Sequence, residues 1–141
     1  MNHGEKTRMS DLTVYTAGQF INWLTQGQIN QPPSQIYVGL INNAGAEISA
    51  DFLSGRAETI AGGDWDRTGQ TKAVNQNKIV FSDATGNFLI ESVALFESDL
   101  NQGGEKLVEV PVNNAPVSVF FGNDVIINPT ELEFDMLDVT E

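Results

Sequence analysis

The chain has 141 residues, with seven Lys and Arg against nineteen Asp and Glu, a formal net charge of -12, a single histidine and no cysteine. That length suits one domain, which buries roughly two thirds of the surface its unfolded form would expose. The missing cysteines exclude disulfides, thiolate metal sites and cysteine nucleophiles, and the acidity argues against a nucleic-acid partner, since phosphate neutralisation needs clustered Lys and Arg and nothing basic follows Lys106.

Residues 1–10 are polar and lack periodicity, so they are expected to form a mobile arm, weakly basic through Lys6 and Arg8. They lack the apolar core of a signal peptide, and no stretch of the chain reaches the ~20 apolar residues of a membrane span. The expectation is a chain made in the cytoplasm, with no membrane partner.

The one convincing helix follows. Thr16-Ala-Gly-Gln19 has the form of a capping box, with Tyr15 and Phe20 placed as a hydrophobic staple, although a start one turn earlier at Asp11 or Thr13 is also open. Ala17, Phe20, Ile21 and Leu24 recur at helical spacing on one face. Trp23 is offset from that stripe, as a rim or partner contact would be. Gly27 and Pro32-Pro33 stop the helix. A helix this short is marginal alone, so its apolar face is expected to pack on a sheet.

Ile36, Val38 and Leu40 alternate as one face of a strand that Asn42-Asn-Ala-Gly45 closes with turn residues. From Glu47 to Ile60 the pattern is less regular, with Phe52 and Leu53 as anchoring side chains. Ala61 to Asn77 is polar and Gly-rich and reads as the longest loop. Lys78 to Phe81 is a strand, and Asp83-Ala-Thr-Gly86 turns the chain into Leu89–Glu97. There Val93-Ala-Leu-Phe96 is apolar on both faces, as in a strand buried on both sides, which predicts the centre of the sheet. Leu107–Val112, Val117–Phe121 and Asp124–Ile127 follow as strands with turns between them. Glu131 to Met136 alternates most cleanly, with Leu132, Phe134 and Met136 inward and carboxylates outward. The whole predicts a mainly β chain: an antiparallel, jelly-roll-like β-sandwich over residues 11–141 with one N-terminal amphipathic helix packed on it.

Chemistry-bearing patterns are few. With no Gly-x-Ser-x-Gly elbow, no phosphate loop and the lone His3 in the arm, a catalytic triad has no base, so no catalytic residue is assigned and the expectation is a non-enzyme. Asp64-Trp-Asp66 and Asp99–Glu105 place hard oxygen ligands in glycine-containing loops without EF-hand spacing, and read as hairpin loops whose Asp and Asn cap backbone groups. No metal or cofactor is therefore expected. Trp65 either stacks on a sugar ring or partner, flanked by Asp64 and Asp66, or folds back as a lid over the sandwich, the reading favoured here. Arg56, an isolated cation, is expected to pair with a carboxylate before it binds a ligand. Trp65, Asp64, Asp66, Trp23 and Arg56 are the candidate contact residues.

From the helix onward the order of elements resembles a family of small virion proteins of tailed bacteriophages, described as tail-fibre-like or minor structural proteins. The resemblance covers most of residues 11–137. It is carried by Leu12-Thr13 and Trp23-Leu24 at the ends of the helix, a Pro-containing link into Ile36-Tyr-Val-Gly-Leu40, Glu47-Ile-Ser49 with Arg56 following, and Ile79-Val-Phe81 with Ala84-Thr-Gly86. Ser92-Val-Ala-Leu-Phe-Glu97 and Gly122-Asn-Asp124 before a terminal alternating strand complete it. The family pattern has an aromatic, a small residue and then Arg after the Glu-Ile-Ser-like triplet, whereas here Leu-Ser-Gly separates Phe52 from Arg56, as an insertion would, and the segment with Gly62-Gly63 and Trp65 has no counterpart. The resemblance implies a β-sandwich component of the virion, homo-oligomeric and partnered by other virion proteins, with no cofactor and no catalytic residues. Threefold association follows from the fibre-like analogy. A place in the tail, neck or fibre is the first expectation and capsid decoration the second. A glycan-binding module built on Trp65, Asp64 and Asp66 is the alternative of another class.

Overall fold

A computed structural model describes residues 13–28, 34–99 and 105–135. The arm of residues 1–10, Pro32-Pro33, Met136 and most of the Asp99–Glu105 loop lie outside them.

The apolar run singled out above is the middle of the largest sheet. Strand β6 (Phe88–Phe96) pairs antiparallel along one side with β1 (Gln35–Asn42), Leu40 opposite Val93 and Tyr37 opposite Phe96. Its other side is taken first by β8 (Val117–Val119) and then by β7 (Lys106–Pro111), and β2 (Ala57–Ile60) closes the far edge on β1. A three-stranded sheet, β10 (Glu133–Asp135), β4 (Lys72–Asn75) and β3 (Trp65–Arg67), and a β5 (Ile79–Phe81) to β9 (Val125–Ile127) ladder complete the strands. The chain is mainly β, built of antiparallel sheets with one helix, as the sequence predicts.

Two-residue alternation sorts the side chains of the large sheet. Val38, Leu40, Ile90, Val93 and Val108 point into the main core, which Phe52, Phe81, Ile79, Leu132 and Phe134 fill from the other elements. Phe52 packs between Phe81 and Phe88, each ring centroid 6.0 Å away. On the opposite face Ile41, Ala94 and Phe96 form a second, smaller buried cluster with Tyr37 against it. The central strand is therefore covered on both sides, which its unbroken apolar run requires.

Three features differ from the sequence expectation. The Ala61–Asn77 stretch is a hairpin of β3 and β4 with its turn at 68–71, and β2 lies in the segment read as irregular. These strands are three or four residues long and carry Asp66, Arg67 and Lys72 outward, so too few apolar residues remain to display a period of two. Leu53 is no anchor: Phe52 is buried and Leu53 is exposed, on a turn whose backbone bonds Ser82 and Asp83.

The third concerns the helix, α1 (Val14–Gln26), which begins one turn before the capping box. Thr13 is the N-cap, accepting from Thr16 N at 3.3 Å, and Gly27 ends the helix in the left-handed region at φ 70°. Thr13 and Thr16 also bind β7: Thr13 N and Thr16 Oγ1 both donate to Leu107 O, and Thr13 Oγ1 donates to Lys106 O at 2.6 Å. Only this first turn is seated on the sheet. No helix residue is buried, and from Phe20 to Gln28 every residue is exposed. Packing of the apolar stripe on the sheet is thus contradicted: the polar bonds of Thr13 and Thr16 to β7 hold the first turn, and the stripe beyond it stays exposed. Phe20, expected in a staple with Tyr15, instead meets Trp23, with ring centroids 5.4 Å apart.

Candidate functional site

The five candidate residues fall in three separate places. Asp64, Trp65 and Asp66 enter β3, and strand geometry sends alternate side chains to opposite faces. Trp65 turns inward against Phe134, with centroids 5.9 Å apart, and its indole Nε1–H donates to Thr59 Oγ1 at 2.9 Å. That hydroxyl in turn donates to Ile36 O at 2.7 Å. The tryptophan is a lid over the core, held by a hydrogen-bonded chain across β2 to β1. Asp64 is a turn residue: its carboxylate accepts from Ile60 N at 2.7 Å and from Asn77 Nδ2 at 2.6 Å. Asp66 is exposed on the other face. The three do not converge on a common point, and the stacking face that a sugar ring needs is turned into the protein.

Arg56 is at the second place, 7% exposed, on the outer face of the large sheet. Its Nε and Nη2 donate to the two oxygens of Glu47, each at 2.7 Å, and Nη1 donates to Ser98 O at 2.8 Å. The guanidinium lies over the Phe96 ring with its carbon 3.7 Å from the centroid. This forked pair fits because residue 39 is glycine. A Cβ there would come within 2.8 Å of Glu47 Oε2 and of the Phe96 ring, and 2.9 Å of Ser49 Oγ. Ser49 is itself buried and accepts from Leu40 N at 2.9 Å. The hydrogen-bonding edges of Arg56 are used inside the chain, so it locks strands together and offers nothing to a ligand. The Glu47-Ile-Ser49 triplet and Arg56, which carry part of the resemblance, are one structural device.

Asn75, which sequence reasoning missed, performs a similar task in the other half of the fold. Its Oδ1 accepts from Leu132 N and its Nδ2 donates to Asn77 O and Asn128 O, all at 2.9 Å. An asparagine in a polar stretch gives no sequence signal that distinguishes such a clamp from a solvated turn.

A further charged group is held by its neighbours. On β7, Glu109 accepts from Lys106 Nζ and from Ser92 Oγ. Burial pushes the Glu109 carboxyl up, but the two donors and the ammonium charge outweigh it and hold the carboxyl below its usual range. Partial burial and the neighbouring carboxylates of Glu58 and Asp99 push the Tyr37 phenol above its ordinary value. Among the described residues no three of His, Cys, Asp and Glu come together as metal ligands do, and no helix is long and apolar enough to cross a membrane.

Three apolar features of the surface stand out. One is an open cleft of about 750 Å³ between β7, β9 and β10, with Val110, Val112, Ile127 and Leu132 in its wall and Glu131 and Glu133 on its rim. Another holds the remaining candidate, Trp23, which is half exposed on α1 beside Phe20, Ile21 and Leu24. Apolar side chains are also exposed at the opposite end of β6, where Leu53, Phe120 and Phe121 stand on loops hydrogen-bonded to residues 82–87. In comparison with known proteins, the chain matches no family model and no curated sequence.

Proposed function

We propose that this chain is a non-enzymatic structural and interaction protein of a tailed-bacteriophage virion, acting in the tail, neck or fibre apparatus, where it contacts other virion proteins and further copies of itself. The observation that carries the assembly role is the helix: its apolar side chains face outward from a β fold whose polar groups at Arg56, Asn75 and Trp65 bond within the chain. Such a scaffold keeps its shape without a partner while it presents an apolar surface to one. The virion assignment is supported by the resemblance in the order of sequence elements. A carbohydrate-binding role has less behind it, since Trp65 faces the core.

The test is to purify particles of the phage that encodes the chain on a density gradient and to quantify their proteins by mass spectrometry. The chain is expected at a fixed copy number per particle. Its absence from particles, with abundant protein in the infected lysate, would overturn the virion assignment. Loss of the tail with particle heads still carrying the chain would move it to capsid decoration.

A further inference from the structure

The helix is mounted with its amphipathicity reversed. Thr13 and Thr16 face β7, whereas Val14, Phe20, Ile21, Trp23 and Leu24 are 91, 56, 52, 50 and 65% exposed. A helix of 13 residues is marginal in water unless tertiary contacts support it. Beyond Gln19 every described residue of the helix is exposed. Val14, Ala17, Ile21 and Leu24 recur at intervals of three and four, the spacing of a seam between two packed helices, and Phe20 widens it on one side. Beside the seam, Gly18 leaves open space where a side chain would stand, so a second backbone can approach.

We propose that this face is a self-association surface, occupied by the same helix of a second copy. Charge narrows the choice of occupant. Val14–Gln26 contains no charged residue, in a chain of net charge -12. A helix that lies on a membrane carries Lys and Arg on its polar face, and anionic headgroups would repel so acidic a protein. Two copies also repel one another in general, and the contact that brings no like charges together is one made through this neutral helix. The area is adequate. Trp23 lies outside the seam, and the seam residues Val14, Phe20, Ile21 and Leu24 leave on the order of 450 Å² of apolar surface per copy, against about 150–250 Å² for one fully buried aromatic side chain. Two copies then bury about 900 Å², the size of a weak, transient interface.

The proposal deepens the assembly reading and draws its biological sense from it, but the contact is measurable on the isolated full chain. Light scattering would follow the mass from about 1 to about 100 μM, the affinity range that so small an interface supports. Wild type is expected to pass from monomer to oligomer, with association strengthened by salt as the acidic surfaces are screened. Ile21→Asp with Leu24→Asp is expected to stay monomeric with an unchanged β-sheet circular dichroism signal. Because the chain has no cysteine, Ile21→Cys should form a covalent dimer on mild oxidation, and Asp66→Cys, exposed on β3, should not. A wild type that is monomeric throughout, an oligomer that survives both aspartates, or equal cross-linking at the two cysteine positions would overturn the proposal. A monomer that is nevertheless present in particles overturns this contact alone; an oligomer absent from particles overturns the virion assignment alone.

Discussion

Removing Glu47 from beneath Arg56 tests whether the pair is a structural lock. In Glu47→Ala the guanidinium keeps its charge, because arginine does not deprotonate in proteins, and among the described residues it is left with Ser98 O and the Phe96 ring. The side chain of Arg56 is 1% exposed and that of Glu47 8%, so water does not replace the lost carboxylate without opening the sheet. Breaking a buried pair from one side costs about 3–5 kcal/mol, a large share of the ~5–15 kcal/mol that holds a domain folded. For a chain of this size that lowers the melting temperature by roughly 10–20 °C. The double variant Glu47→Leu with Arg56→Met removes both charges and fills their space, and is expected to recover most of the loss, since apolar replacement of a buried pair is often neutral. Urea denaturation of wild type, the single variant and the double variant gives all three values. A single variant within about 1 kcal/mol of wild type would refute the reasoning, because that is the cost of an exposed pair. A double variant no better than the single would place the cost in packing and not in the stranded charge.

Asn75→Ala should orphan the buried Leu132 N–H and cost about 1–3 kcal/mol, the range for one buried group left unsatisfied, while the carbonyls of the exposed Asn77 and Asn128 can turn to water; Asn75→Asp should do no better, since a carboxylate cannot donate to Asn77 O and Asn128 O. Urea midpoints check both, and faster exchange of the Leu132 amide than of its neighbours would locate the damage. Glu109 gives a dependence on pH: its carboxyl is held below the usual range in the folded chain, so it adds stability above the unfolded glutamate value that is lost as the pH falls through the lowered folded one. The gap between wild type and Glu109→Gln should therefore be largest near neutrality and close in acid, as urea midpoints across that range would show; a gap that widened in acid would have the wrong sign.

How much of this was legible in the sequence depended on how far each element obeys its own periodicity. The strand at Phe88–Phe96 shows itself because both faces are buried, and the strand at Glu133–Asp135 because one is. Gly27 marks the helix end through its backbone conformation. The N-terminus was displaced because Thr16, a good cap in isolation, is used to bond Leu107 O, and Thr13 caps in its place. The face of the helix was misread for a related reason. An apolar stripe says that something covers it, but not that the cover lies in the same chain. At the candidate site, the inward turn of Trp65 and the pairing of Arg56 follow from residue type. That Glu47 is the partner, nine positions earlier and across Gly39, depends on strand register, which no local pattern carries.

Attachment through a single turn has a mechanical consequence. The helix is a rod about 20 Å long, at 1.5 Å per residue, joined to one strand by the bonds of Thr13 and Thr16. A tilt of about 10° at that joint would carry the Gln26 end some 3–4 Å sideways without any change in the sheets, which Arg56 and Asn75 lock. One rigid body can thus meet neighbours set at different angles, as the successive subunits of a curved or tapering assembly are, by swinging a lever and not by deforming its core.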